Sequence, residues 1–144
     1  MGAIDDLAEV LRGQCKDLRW VVRAGLVKKG VFVTHLDVFR ADRLIDSGGG
    51  SGPAVLDSLV DFSYGYSHDA PMSVVARCSA EIDRLVAVTD DDREVVMTLS
   101  DPAEQFGVRF AACILPSGTR LARVYASSRD DVVFESAVRA IGGN

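Results

Sequence analysis

The side chains with the clearest capacity for chemistry are few, since the 144 residues hold two histidines and three cysteines. His68 directly precedes Asp69, and a neighbouring carboxylate raises the pKa of an imidazole and suits it to proton transfer. Asp69 is better explained as the N-cap of a helix that begins near Pro71, and we expect that structural role. The alternative is a small-molecule pocket lined by Phe62, Tyr64, Tyr66 and His68.

The cysteines indicate buried thiols more than a reactive or disulfide-bonded set. Cys15, Cys78 and Cys113 are an odd number and lie far apart in the sequence, which is not typical of a disulfide framework. Cys15 and Cys113 lie within apolar patterns, where cysteine acts as a small hydrophobic residue. Pairing Cys78 or Cys113 with His68 as a nucleophile is conceivable, but nothing in the spacing favours it. We therefore expect a reducing, cytoplasmic setting.

Motifs of known enzyme or metal sites are missing from the sequence. No cysteine–histidine spacing of the zinc type, no nucleotide-binding glycine pattern and no nucleophile elbow occurs. The run Asp90–Asp92 could attract a hard cation, but it lacks the alternating ligands and glycine of a calcium loop and is typical of a solvated turn. We expect no cofactor, no bound metal and no catalytic residues.

Charge is unevenly distributed along the chain. The formal net charge is −5, yet residues 12–29 hold six Lys and Arg against one Asp, so this segment is +5 and the remainder −10. Such a segment can form a basic surface that binds an acidic partner. The predicted partner-binding residues are Arg19, Trp20, Arg23, Lys28 and Lys29. Nucleic acid is disfavoured as the partner, because the chain is acidic overall and Trp20 is the only aromatic residue in the segment.

Length and hydropathy predict one domain spanning residues 1–144. A chain of this size can bury a core without disulfides or metals. No apolar run approaches the roughly 18 residues of a membrane span, and the acidic start has no signal-peptide character, so we expect a soluble protein without a membrane segment.

The first half of the chain predicts a helix, a hairpin and a flexible loop. Ile4, Leu7, Leu11, Cys15 and Leu18 recur at helical spacing. Residues 20–26 and 31–39 are rich in strand formers and predict an antiparallel hairpin, with a helix over residues 19–26 as the alternative. Residues 46–53 hold four glycines and two serines, typical of a flexible loop or linker, native or engineered. Pro53 can then open a short helix.

The second half predicts two helices around three strands. Met72, Val75, Ser79, Ile82 and Val86 trace the face of a helix over residues 71–88. Residues 94–99, 108–115 and 121–126 read as strands, with the middle one central and the last returning antiparallel to it. Ser128 and Asp131 resemble a capping box for a terminal helix that buries Val133, Phe134, Ala137, Val138 and Ile141.

These elements predict an α+β fold: an antiparallel sheet of about five strands with helices packed on it, in the order α-β-β-α-α-β-β-β-α. The order is similar to that of roadblock and longin-like modules, more loosely to profilin-like folds, and helices with an antiparallel sheet also occur in small acidic secretion chaperones. We expect a small, non-catalytic protein-interaction or assembly module, such as an adaptor, chaperone-like protein or regulatory subunit. It would act through a sheet edge and the basic and aromatic patch, with another protein or a second copy as partner. The alternative is a small-molecule-binding domain or small enzyme with a pocket near residues 62–69.

Overall fold

Every regular element in the described part of the chain is a β-strand. The computed structural model describes residues 7–28, 30–67, 70–102 and 106–138. The strands are β1 (Ala8–Cys15), β2 (Leu18–Lys28), β3 (Val31–Arg40), β4 (Arg43–Pro53), β5 (Val60–Ser67), β6 (Ala70–Ser79), β7 (Arg84–Thr89), β8 (Glu94–Val96), β9 (Thr98–Leu99), β10 (Val108–Ile114), β11 (Leu121–Ser128) and β12 (Asp131–Ala137). No helix that could cross a membrane occurs within these ranges.

The strands form three antiparallel sheets of four. Sheet A has the order β1-β2-β3-β4, sheet B the order β5-β6-β10-β9, and sheet C the order β12-β11-β7-β8. The predicted α+β class is therefore wrong, and so is the element order that resembled the roadblock, longin-like and profilin-like modules. The described chain is all-β, and sheets instead of helices cover its central layer.

Sheet B is the middle layer of the stack. Val74 and Cys78 of β6 belong to a hydrophobic cluster with Leu85 and Val124 of sheet C. Val75, which directly follows Val74, belongs instead to a second hydrophobic cluster, formed with residues of sheet A. Because successive side chains of a strand point to opposite faces, β6 supplies both interfaces at once. The core is consequently divided into two apolar layers, one on each side of sheet B.

The layer between sheets A and B is built around one aromatic side chain. Trp20 is 2% exposed and packs with Val22, Leu36, Val38 and, from sheet B, Ala112. Gly13 of β1 lies opposite Trp20 in the register, and a Cβ at Gly13 would overlap the indole ring. The absence of a side chain at Gly13 therefore lets β1 lie beside the largest residue of this layer.

Several strand predictions are confirmed, although one partner is wrong. The predicted hairpin over residues 20–39 is β2 and β3, paired antiparallel from Leu18–Arg40 to Lys28–Val31. The predicted central strand is β10, which pairs with both β6 and β9. The strand after it, β11, does not return to β10; it pairs with β7 and β12 in the next sheet. A short turn at residues 116–119 thus connects two layers.

The predicted helices over residues 4–18 and 71–88 are wrong in their described parts. Residues 8–15 form β1, while residues 71–88 form most of β6, a turn and most of β7. β6 is buried on both faces over most of its length, so its apolar residues do not alternate with polar ones. A continuous apolar run of this kind satisfies a helical stripe as readily as a buried strand, which explains the wrong prediction.

The predicted C-terminal helix is β12 over its described residues. Ser128 and Asp131, read as a capping box, face each other at the end of the β11–β12 hairpin. Arg129 and Asp130 between them have φ values of 52° and 72°. Positive φ at both central residues is the requirement of a type I′ hairpin turn. The same four residues therefore close a hairpin. Ile141, the last residue of the predicted buried face, lies outside the described residues.

The glycine-rich segment is an ordered strand. Residues 46–53, predicted as a flexible loop, form most of β4 and pair with β3 along its length. A Cβ at Gly50 would overlap Ser63 of β5, and one at Gly52 would lie 2.6 Å from Oδ2 of Asp61. Glycine is needed here because β4 lies close against sheet B. Residues 54–59, where a short helix was predicted, form bends and irregular chain.

Gly13→Ala is expected to lower the free energy of unfolding by about 1–3 kcal/mol, because the added methyl group overpacks the Trp20 ring. Gly48→Ala is the matched control, since an added Cβ there meets no described heavy atom within 4 Å. Urea denaturation followed by circular dichroism measures both. The double variant Gly13→Ala with Trp20→Phe should lose less free energy of unfolding than the sum of the losses in the two single variants, since both changes affect the same contact. A Gly13→Ala variant as stable as the control would contradict this packing.

Candidate binding face

The outer face of sheet A presents an ordered array of polar side chains. In β2 the buried residues Trp20 and Val22 alternate with Arg19, Val21 and Arg23, which point away from sheet B. The register pairs three residues of β2 with three of β3 on this face: Arg19 with Phe39, Val21 with Asp37, and Arg23 with His35. No hydrophobic cluster of described residues joins this face to another sheet. We call it the outer face of sheet A.

Asp37 lies at the centre of a hydrogen-bonded cluster on this face. Its side chain accepts hydrogen bonds from Nη2 of Arg23 at 2.7 Å, from Nε2 of His35 at 2.8 Å and from Oγ of Ser47. Asp37 is only 8% exposed, and Arg23 supplies the opposite charge that a carboxylate at this depth needs. The three donors come from three neighbouring strands, so the cluster fastens β2, β3 and β4 together.

Ser, His and Asp occur together here, but their geometry differs from a proton relay. A relay needs the serine hydroxyl on one imidazole nitrogen and the carboxylate on the other. In this cluster Nε2 of His35 faces both groups, at 2.8 Å from Asp37 and 3.4 Å from Oγ of Ser47. Since an ionised carboxylate only accepts hydrogen bonds, Nε2 carries the proton and Ser47 donates to Asp37 instead. The arrangement orders charge and does not activate the hydroxyl.

The pKa of Asp37 reflects opposing effects. Burial raises it, while hydrogen bonds from Ser47, His35 and Arg23 lower it and together leave the pKa below the ordinary value of 3.8. The carboxylate therefore stays ionised at neutral pH and holds Arg23 in place. The alternation of polar residues in β3 was the signal that could have identified His35 and Asp37 as neighbours, whereas Ser47 lies in the segment read as a loop.

Arg19 lies at one end of the same face and has a different environment. Its guanidinium carbon lies 4.4 Å from the ring centroid of Phe39, a cation–π contact. Arg12 pairs with Glu9 and Arg40 with Asp17, but within the described chain Arg19 has no ion pair. Leu44, opposite Phe39 in β4, is 52% exposed. A positive charge, an aromatic ring and an exposed apolar side chain therefore lie side by side.

The structure divides the predicted partner-binding set. Arg19 and Arg23 share the outer face of sheet A, whereas Trp20 points the other way into the core. Lys28 is exposed at the end of β2, and Lys29 lies outside the described residues. On this surface the aromatic residue beside Arg19 is Phe39, which the sequence analysis did not include. Phe39 is 20 residues from Arg19 in the sequence, and only the strand register shows that the two are paired.

The predicted aromatic pocket is placed on sheet B. Phe62 and Tyr64 lie in β5 with ring centroids 6.4 Å apart, and Phe62 packs against the core between sheets B and C. Tyr66 belongs to the same strand, and His68 lies outside the described residues. Ser63, Tyr64 and Gly65 line a cavity of about 110 Å³ beside Gly48 and Gly49. This is less than the roughly 300 Å³ at which ligand pockets begin.

Cys78 and Cys113 are poor nucleophiles in this fold. Burial raises the pKa of Cys78 to about 12, and it raises that of Cys113 to about 12. Both thiols are therefore protonated at neutral pH, whereas thiolates are the reactive form. Within the residues that the structure describes, no group of three metal-ligating side chains comes together.

Comparison with protein-family models, with curated proteins and with solved structures finds no match for this chain.

Asp37→Asn is expected to destabilise the protein at neutral pH by about 1–3 kcal/mol, because Arg23 loses its buried counter-charge. A carboxylate whose pKa is lowered by folding contributes stability above its ordinary pKa and loses it as the pH falls through the folded value. The difference in free energy of unfolding between wild type and Asp37→Asn should therefore become smaller as the pH is lowered from about 6 to about 2. Urea denaturation at each pH measures it, with exposed Asp42→Asn as control. A difference that is constant with pH would show that the charge of Asp37 is unimportant.

Proposed function

We propose that this protein is a non-catalytic interaction or assembly module, and that the outer face of sheet A binds an acidic surface of another protein. The observation that carries the proposal is Arg19, which lies over Phe39 without an acidic partner in the described chain. Arginine and aromatic residues are the side chains most often found at the energetic centre of interfaces. Leu44 beside them adds exposed apolar area to the same surface.

The distribution of charge supports an acidic partner. Residues 7–53, which include all of sheet A, contain eight Lys and Arg against five Asp and Glu, a net charge of +3. Residues 54–144 contain eight against fourteen, a net charge of −6. Such a dipolar protein approaches an acidic surface with sheet A in front. The same charge distribution disfavours a symmetric dimer through this face, since the two copies would bring identical positive surfaces together.

One edge of sheet A, strand β1, lies next to this surface. β1 is hydrogen-bonded to β2 alone in the described structure, and a bulge between Glu9 and Leu11 interrupts its first half. Bulges and charged residues protect sheet edges from unwanted pairing, so the regular half, Arg12–Cys15, is the part of the edge that a partner can approach. A partner seated there would also reach Arg19, because Gln14 pairs with it.

We place the module in a reducing cytoplasm. Cys15, Cys78 and Cys113 are all free thiols, and two of them are buried. Proteins of oxidising compartments more often stabilise a domain of this size with disulfides. Nucleic acid is not the proposed partner, because the chain is acidic overall.

The proposal is tested with a photo-cross-linking amino acid at Gln14, in extract of the organism that makes the protein. We expect an adduct with one protein of acidic composition, because Gln14 borders the Arg19 and Phe39 surface. Arg19→Ala should reduce the adduct about tenfold or more, the effect of losing an interface anchor worth about 1.4 kcal/mol.

Two controls make the result specific. Arg84→Ala removes one exposed arginine from sheet C and should leave the adduct unchanged. The same cross-linker at Glu81, in the turn after β6, should give no such adduct. Equal adducts at both positions, an adduct between two copies of this chain, or an adduct with nucleic acid of the extract in place of protein would each contradict an acidic protein partner on this face.

A further inference from the structure

A second site lies at the opposite side of sheet A, where its inner face meets sheet B. A cavity of about 620 Å³ opens between the end of the β2–β3 hairpin, the irregular chain at residues 54–59 and the start of β10. Its volume is in the range of small-molecule sites. The lining residues that matter here are Leu26, Phe32, Val55, Leu56, Arg77 and Phe106.

The wall of this cavity is aromatic. Phe32 and Phe106 meet edge to face with centroids 5.1 Å apart, and Phe110 lies behind them at 6.1 Å from Phe32. Such rings provide a large, rigid apolar surface. At the mouth, Val55 and Leu26 are exposed, Leu26 by 59%. Exposed apolar residues that continue into an aromatic cavity indicate a ligand with an apolar body.

A buried arginine also lines this apolar site. Arg77 of β6 is 3% exposed, and its guanidinium carbon lies 4.6 Å from the centroid of Phe32. Nη1 donates to the carbonyl oxygen of Pro53 at 2.9 Å, and Nη2 lies 3.4 Å from Oδ2 of Asp61. The Nε N–H has no hydrogen-bond partner in the described chain. Leaving a buried donor of a charged group unpaired is costly, so an acceptor that reached this guanidinium group would offset that cost.

The charge of Arg77 is also incompletely balanced. Its contact with Asp61 is longer than the 2.7 Å pair of Arg23 and Asp37, and the Asp61 side chain is itself 41% exposed. Asp57 is the acidic residue among those that line the cavity, and it lies on the exposed chain of the rim. Both acids thus lie towards water, while the guanidinium lies against the rings. A carboxylate inside the cavity would give the buried cation the close partner that neither acid supplies.

Neighbouring backbone leaves room for the guanidinium. A Cβ on Gly52 of β4 would lie 2.9 Å from Nη2 of Arg77. Glycine at this position thus allows the buried arginine to extend beneath β4 and reach Pro53. The arginine therefore also connects β4 to sheet B, a structural role that the experiment must separate from ligand binding.

We propose that this cavity binds a small amphiphilic carboxylate, with its hydrocarbon or aryl body against Phe32 and Phe106 and its carboxylate on Arg77. The site is separate from the outer face of sheet A and does not depend on the function proposed there.

The test uses three probes of one chain length, decanoate, decanol and decylammonium, titrated into the full chain by calorimetry. The two ionic probes are kept below their micelle-forming concentrations and decanol below its solubility limit. We expect decanoate to bind about tenfold or more tightly than decanol, and decylammonium to bind weakest, since only the carboxylate pairs with Arg77. Arg77→Met should remove the preference for decanoate over decanol while decanol still binds, whereas a merely structural arginine would leave the ratio unchanged.

A matched pair of variants locates the binding without altering the buried arginine. Leu26→Glu adds a charge at the cavity mouth and should abolish decanoate binding. Leu44→Glu makes the same change at a leucine of similar exposure, 52%, outside the cavity, and should leave binding intact. If wild type binds none of the probes, binds all three equally, or loses decanoate equally in both variants, the proposal is overturned. If Arg77→Met does not fold, the ratio of the three probes in wild type and the leucine pair decide the question.

Discussion

The central strands β6 and β10 have no solvent face, because sheet A covers one side of sheet B and sheet C covers the other. The same two strands therefore contribute side chains to both apolar layers, and successive residues of each strand point into opposite layers. Small side chains such as Ala76, Ala111 and Ala112 let the layers approach, and Trp20 fills the wider space on the sheet A side. Burial of this kind is the main source of stability in a chain whose thiols are free.

Both sites are consequences of this stacking. Sheet A uses one face to cover sheet B, so its outer face is free to carry charge, and the strand register brings Arg23, His35 and Asp37 together there. The inner face closes incompletely near the β2–β3 turn, where Phe32 and Phe106 line a cavity. Arg77 is the exception within β6, since this strand otherwise contributes apolar or small side chains to the two layers. A buried arginine carries a desolvation cost that apolar residues would avoid.

Local patterns predicted the β2–β3 hairpin and the central position of β10, since their alternation and strand-forming residues agree with the final pairing. They did not predict β6 or β12. The apolar sequence of β6, which is buried on both faces, also fits the apolar face of a helix, and the residues of the hairpin turn before β12 also fit the pattern of a capping box. At the outer face, the charge count identified Arg19 and Arg23 but placed Trp20 beside them. Strand alternation puts Trp20 on the opposite side, and it is the register that supplies Phe39 and Asp37. Nothing in the spacing marked Arg77.

The sequence by itself determined the charge polarity, the scattered free cysteines and the residues able to form the β2–β3 hairpin, because these are properties of composition and near neighbours. The tertiary structure decided that the glycine-rich segment is a strand, since Gly50 and Gly52 matter only where β4 meets Ser63 and Asp61. It also decided that β11 leaves β10 for another sheet and that Arg77 is buried against Phe32. These outcomes depend on contacts between residues distant in sequence, whose energies are settled by which sheets stack and in what register.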